Sequence, residues 1–167
     1  MLTQKVENIL VAQIEKELYS SNLYLAMASW AENSGFEGTA QWLYAQAEEE
    51  HMHMLKFVAY INERGGKAII PAIKQPPLDY VDIRDVFEQV FKHEKYISKS
   101  INEIVGVCIE DKDFSTNNWI QWFVNEQIEE EKSVRNILDK LNLIGAHSLY
   151  LFDKDIMSLR NTTTKTQ

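Results

Sequence analysis

The chain is poor in the residues that break helices and in those that cross-link chains. Of its 167 residues only three are proline, and Cys108 is the single cysteine. No disulfide can therefore form within the chain, and a reducing compartment is the simpler setting. No apolar run approaches the roughly 18 residues that a membrane span requires, and residues 1–16 lack the apolar core of a signal peptide. We expect a cytoplasmic protein with no membrane partner.

Basic charge is also scarce. The chain has 17 Lys and Arg against 25 Asp and Glu, which gives a net charge of -8. No basic cluster offsets this acidity, so nucleic acid is not expected as a partner. Apolar residues make up 45% and charged residues 25% of the chain, which is ordinary for a globular protein. The length predicts one domain over residues 1–167.

Helical periodicity is the dominant pattern in the sequence. Apolar spacing and helix-breaking residues predict five helices, over residues 3–33, 37–64, 82–110, 115–143 and 149–159, and a polar tail over 161–167. Short connections make the first two long helices one antiparallel hairpin and the next two another. The segment 65–81 holds all three prolines and could span up to about 55 Å when extended, which exceeds the roughly 42 to 46 Å length of the long helices. We expect an all-α four-helix bundle with one long crossover and a short C-terminal fifth helix.

Each long helix carries one glutamate at the middle of its apolar face: Glu17, Glu50, Glu94 and Glu130. On the first helix, for example, Leu10 and Tyr24 lie within about 20° of Glu17 at about 100° per residue. Mid-helix positions meet in one layer of an aligned bundle, so the four carboxylates should converge. An unpartnered buried carboxylate costs several kcal/mol. The pattern therefore predicts that the bundle binds cations.

A histidine completes this predicted site. Glu50-x-x-His53 places an oxygen and a nitrogen ligand on one helix face. Several carboxylates with one imidazole suit iron(II) or manganese. The carboxylates outnumber the needs of one ion, so we assign Glu50 as a bridge between two. Glu17 and His53 would bind one ion, and Glu94 and Glu130 the other.

Less specific explanations are available for single residues. A lone glutamate on an apolar stripe is usually a rim residue, and Tyr24 could pack in the core as readily as donate a hydrogen bond or an electron. The tryptophans at 30, 42, 119 and 122 are interpreted as packing residues, and His51 and His93 as surface residues. Two other functions stay open: a dinuclear carboxylate enzyme such as a peroxidase or manganese catalase, and a metal-free helical scaffold.

The combined motif resembles the ferroxidase centre of bacterial non-haem ferritins. It consists of Glu17, Glu50-x-x-His53, Glu94 and Gln127-x-x-Glu130, and the similarity covers essentially the whole chain. The resemblance implies that iron(II) is oxidised by oxygen or peroxide at a dinuclear centre within each subunit. Iron(III) oxyhydroxide would then be stored inside a hollow homo-oligomeric shell of ~24 subunits.

The resemblance also implies a third iron site nearby, built from carboxylates at positions matching Glu49, Glu126 and Glu129. Gln127 falls where the family has a second-layer or weakly ligating group. The short helix from Leu149 would line one set of channels in the shell.

Two departures separate the chain from the haem-containing relatives. Bacterioferritins repeat Glu-x-x-His on the fourth helix, where this chain has Gln127 and Glu130. They also carry a haem-ligating methionine directly after the second-helix glutamate, where this chain has His51. The expected cofactor is therefore iron without haem.

Overall fold

The computed structural model describes residues 1–145 and 148–160. These residues form helices α1 (Gln4–Asn33), α2 (Glu37–Glu63), α3 (Ile83–Glu110), α4 (Phe114–Ile144) and α5 (Leu149–Asp155), and a 3-10 turn (Ile156–Leu159). Every predicted helix is present. The four long ones begin and end within one residue of the predicted positions, and the last turn of the fifth is a 3-10 turn. The predicted polar tail at 161–167 lies outside the described residues.

Side-chain caps fix where two of the long helices begin. The Asp82 carboxylate accepts the backbone N–H of Asp85 at 2.8 Å, and Asp113 accepts that of Thr116 at 3.0 Å. Each cap satisfies a backbone donor that the first helical turn leaves unpaired. Beyond α2, Gly65 adopts a φ of 77°, a left-handed conformation that favours glycine and ends the helix.

The segment between α2 and α3 runs along most of the length of α1. Three contacts mark its path in chain order: Lys67 with Glu7, Lys74 with Tyr19, and Tyr80 with Trp30. From Glu7 to Trp30, α1 rises by roughly 35 Å. The segment therefore crosses the bundle from one end to the other, which makes α2 and α3 parallel and gives the single long crossover.

The apolar interior forms two separate cores. One contains Trp42 and Phe87, and the other contains Phe57 and Phe123. We call them the Phe87 core and the Phe57 core. On every long helix the central glutamate lies between the residues that join one core and those that join the other. A polar layer therefore divides the bundle at mid-height.

The short α5 docks against the start of α2. The Asp153 carboxylate accepts the backbone N–H groups of Gly38 at 3.0 Å and Thr39 at 2.8 Å, which caps α2 from outside. A Cβ on Gly38 would overlap the backbone carbonyl of Asp153, so only glycine allows this close approach. Among the described residues, no helix is long and apolar enough to cross a membrane.

Candidate metal centre

The four central glutamates are buried in the polar layer. Their exposed fractions are 1% for Glu17, 2% for Glu50, 1% for Glu94 and 6% for Glu130. One carboxylate oxygen each from Glu17 and Glu50 and a ring nitrogen of His53 lie within 4.8 Å of one another. We call these three residues the inner cluster. Their grouping is the one that the sequence predicted around the first ion. Glu94 and Glu130 share the layer but lie outside this three-residue group.

Burial raises the pKa of each of these four carboxyl groups. Burial and then the charge of Glu50 raise the pKa of Glu17 well above its usual range. The pKa of Glu50 is raised by burial and then by the charge of Glu94, and burial is the main cause of the raised pKa values of Glu94 and Glu130. Without a cation the layer therefore holds protons, which a bound metal ion would displace.

Neutral amides, rather than basic side chains, orient the carboxylates. Three buried glutamines donate side-chain N–H groups to the glutamates: Gln13 to Glu17 at 2.8 Å, Gln46 to Glu130 at 2.8 Å and to Glu50 at 3.4 Å, and Gln127 to Glu94 at 3.1 Å. Amide donors position the oxygens without cancelling their charge, so the layer keeps its attraction for cations.

Two of these glutamines were not predicted from the sequence. Gln13 lies four residues before Glu17, and Gln46 lies four residues before Glu50. This spacing places each amide on the same helix face as the carboxylate, so the sequence did contain a signal for them. Gln127 was predicted near the site, and it contacts Glu94 through its amide nitrogen.

Tyr24 belongs to the same hydrogen-bond network. Its side chain is fully buried, and its hydroxyl donates to the carboxylate of Glu94. Burial and then the charge of Glu94 raise the pKa of the Tyr24 phenol well above its usual range. The phenol therefore stays protonated and remains a donor to Glu94.

His93 differs from the expectation of a surface residue. It is half-buried, and its Nε2 lies 2.7 Å from the Ser20 hydroxyl. Burial and then the charge of Lys74 lower the pKa of His93 to about 4, so the ring is neutral at neutral pH. His51 is exposed, as expected. All four tryptophans make ring contacts or are buried, in keeping with packing roles.

A second acidic group adjoins the first. Glu49, His53 and Glu126 each place one ligand atom within 4.8 Å of the others, and we call them the outer cluster. Glu49 and Glu126 are thus brought together, as predicted for a third site. Glu129 is exposed and belongs to neither cluster. His53, shared by both clusters, was not predicted for this one.

Two buried polar atoms of the inner-cluster residues lack hydrogen bonds. Among the described residues, neither Oε2 of Glu17 nor Nε2 of His53 has a hydrogen bond. The His53 ring is held edge-on between Trp122 and Phe123, at centroid distances of 5.4 and 5.7 Å, and its Nδ1 lies 3.4 Å from Glu50. A buried unsatisfied polar atom costs about 1–3 kcal/mol. Bound cations would give such atoms partners, so the donor set fits metal binding.

A layer of carboxylates with a histidine inside a four-helix bundle defines a class of metal-binding helical bundles. Residues 7–144 match the family profile of the Ferritin-like domain. A non-heme ferritin-like protein of Haemophilus influenzae is 47% identical over 161 residues, 95% of this chain and 98% of that one. The bacterial non-heme ferritin of Campylobacter jejuni is 42% identical over 161 residues, 95% of this chain and 96% of that one.

A solved structure agrees with these relatives. The open pore ferritin of Archaeoglobus fulgidus superposes with a TM-score of 0.91 at 39% identity, over 93% of this chain and 96% of that chain. The chain belongs to the ferritin-like domain family. Membership implies iron binding and assembly into an oligomeric shell.

Proposed function

We infer that this protein stores iron. It takes up iron(II), oxidises it with oxygen or peroxide at a dinuclear centre within each subunit, and stores the iron(III) oxyhydroxide in a hollow shell. The observation that carries this inference is the buried layer of four glutamates beside His53, with two ligand atoms left without hydrogen bonds. A single domain over residues 1–167, a cytoplasmic location and a shell of ~24 copies are part of the same proposal.

The two substrate ions are assigned as the sequence predicted, and the inner cluster supports the assignment of the first. Glu50 bridges them, Glu17 and His53 bind the first, and Glu94 and Glu130 bind the second. Iron(II) suits this mixture of carboxylates with one imidazole. The protons that burial keeps on the carboxylates leave as the ions bind. Two iron(II) ions then supply two electrons, which reduce one dioxygen to hydrogen peroxide with two protons.

Tyr24 and Gln127 act on this reaction through Glu94. Both donate hydrogen bonds to its carboxylate, one to each oxygen. They therefore set the orientation of Glu94 before iron arrives, which favours a site that is already in position. A direct iron bond to Gln127, or electron donation by Tyr24, is not needed for this role. Glu49 and Glu126, together with the exposed Glu129, would pass oxidised iron toward the mineral.

The test is aerobic addition of iron(II) to the metal-free protein, followed by size exclusion with iron measured in each fraction. At 19.4 kDa per chain, a shell of ~24 copies would elute near roughly 466 kDa. We expect that peak to hold iron far beyond a few ions per chain. A few ions per chain without mineral would instead indicate a dinuclear enzyme such as a peroxidase, and absence of bound iron would overturn the proposal.

A matched pair of variants on α3 links the activity to the site. Glu94→Gln removes a buried ligand charge, whereas Glu88→Gln removes an exposed one. We expect the first to slow initial iron oxidation by about tenfold or more and the second to leave it unchanged, with both shells assembled. Equal rates for the two variants would place oxidation elsewhere.

A further inference from the structure

Arg160 is a basic side chain that the structure places against the outer cluster. Its Nη2 donates to Oε2 of Glu49 at 2.7 Å. Its Nη1 lies 3.2 Å from the backbone carbonyl of Trp42 and 3.4 Å from Oε1 of Gln46. A guanidinium keeps its charge at any physiological pH. The pair is also partly shielded, with exposed side-chain fractions of 21% for Arg160 and 22% for Glu49.

Glu49 therefore takes part both in a candidate metal site and in an ion pair. It belongs to the outer cluster with His53 and Glu126, and it is also paired with Arg160. His53 directs its Nδ1 toward Glu50, so its other ring nitrogen, the buried Nε2 without a hydrogen bond among the described residues, is an independent sign that a ligand belongs outside the inner cluster. A cavity of about 430 Å³ opens beside the cluster, and its lining includes Glu49, His53 and Arg160. An ion can thus reach the Glu49 carboxylate, whose charge the guanidinium already neutralises.

Arg160 also determines which end of Gln46 faces the metal layer. Because the guanidinium donates to the amide oxygen of Gln46, the amide nitrogen points the other way. That nitrogen donates to Glu130 at 2.8 Å and lies 3.4 Å from Glu50. The same guanidinium therefore contacts Glu49 directly and reaches two predicted ligands of the dinuclear centre through one amide.

We propose that Arg160 is a built-in competitor for the cation at the outer cluster. An ion entering the cluster must share Glu49 with the guanidinium or displace it, so the outer cluster binds iron only weakly and releases it readily. Displacement would also loosen the link between α2 and the chain that follows α5. This proposal rests on the proposed function, since it assumes that oxidised iron passes through the outer cluster.

The physical reason is electrostatic. A di- or trivalent ion at Glu49 would lie beside a fixed positive charge, and repulsion between them raises the free energy of the bound state. Removing that charge should tighten binding at the outer cluster by about tenfold, the size expected for one charge-assisted hydrogen bond. Binding at the inner cluster should change much less, because Arg160 reaches it only through a neutral amide.

The experiment measures zinc(II) binding to the assembled, metal-free shell by calorimetry, with zinc as a redox-inert stand-in for iron. Arg160→Gln removes the charge, and Arg160→Lys keeps it. Arg135→Gln, an exposed arginine on α4, is the matched control. We expect the weakest zinc step to tighten about tenfold in Arg160→Gln only, and to disappear in the double variant Glu49→Gln/Arg160→Gln. Size exclusion verifies assembly of each variant.

Three results would overturn the proposal. They are an unchanged weak step in Arg160→Gln, an equal tightening in Arg160→Lys, and a wild-type protein with no step beyond the dinuclear centre. Failure of the proposed function is different, because the tight zinc steps and aerobic iron oxidation would then be missing from the wild-type protein itself. A purely structural role for Arg160 predicts weaker binding in both substitutions, not tighter binding in one.

Discussion

Replacing Glu50 with glutamine should stabilise the metal-free protein. The substitution keeps the shape of the side chain and removes one charge from the centre of the layer. Glu50 and Glu17 have ligand oxygens within 4.8 Å, and two ionised carboxylates at that distance repel by about 3 kcal/mol at an effective dielectric constant near 20. Proton binding relieves part of this repulsion. We therefore expect a gain of about 1–3 kcal/mol in the free energy of unfolding at pH 8.

The stabilisation by Glu50→Gln should be larger at pH 8 than at pH 5. Burial raises the pKa of Glu50 above its usual 4.5, so the folded protein binds more protons than the unfolded chain above that pH. The contribution of the Glu50 carboxyl to the free energy of unfolding is then fully present below about pH 4.5 and is lost as pH rises through its folded-state pKa. The wild-type protein should lose stability between pH 5 and pH 8, and Glu50→Gln should lose less.

With metal ions bound, the wild-type protein should become more stable than Glu50→Gln. Zinc(II) binds the native wild-type site and stabilises it by mass action, whereas Glu50→Gln lacks the bridging carboxylate and should gain less. The assay is denaturant unfolding of both proteins at equal protomer concentration, at pH 5 and pH 8, with and without zinc. Glu88→Gln, an exposed change, serves as the control. If metal-free Glu50→Gln is no more stable than the wild-type protein at pH 8, the carboxylates do not repel as argued.

Two further substitutions test the surroundings of the site. Tyr24→Phe removes the donor to Glu94, so iron oxidation should slow several-fold in stopped-flow absorbance while zinc stoichiometry is kept; an unchanged rate would leave Tyr24 a packing residue. Gly38→Ala places a methyl group against the Asp153 carbonyl, so α5 should undock. Size exclusion and thermal unfolding would report this change, and a variant with wild-type behaviour in both would contradict the close packing.

The elements and the four glutamates were predictable because both depend on local spacing. A glutamate at the centre of an apolar stripe is visible at about 100° per residue, and the tertiary fold only has to align four helices of similar length. The glutamines at 13 and 46 follow the same local rule and could have been found. The neutral, half-buried state of His93 could not, because its lowered pKa depends first on burial of the ring and then on the charge of Lys74.

The contact between Arg160 and Glu49 could not be predicted from the sequence. It lies 30 residues beyond Glu130, after a helix break, and nothing in its local pattern points to Glu49. Its position depends on α5 docking at the start of α2 and on a long side chain reaching back over that helix. The composition of the outer cluster depends in the same way on the shared His53 ring. Both are properties of tertiary contact rather than of helical period.

The division of the interior explains how the bundle tolerates such a site. The Phe87 core and the Phe57 core lie on opposite sides of the polar layer and supply apolar burial that does not depend on metal. The glutamates can therefore repel one another in the empty site without unfolding the helices. Folding therefore does not depend on metal, and the folded, metal-free subunit can accept iron. The electrostatic cost of the empty layer then becomes part of the driving force for binding, because each cation that enters removes it.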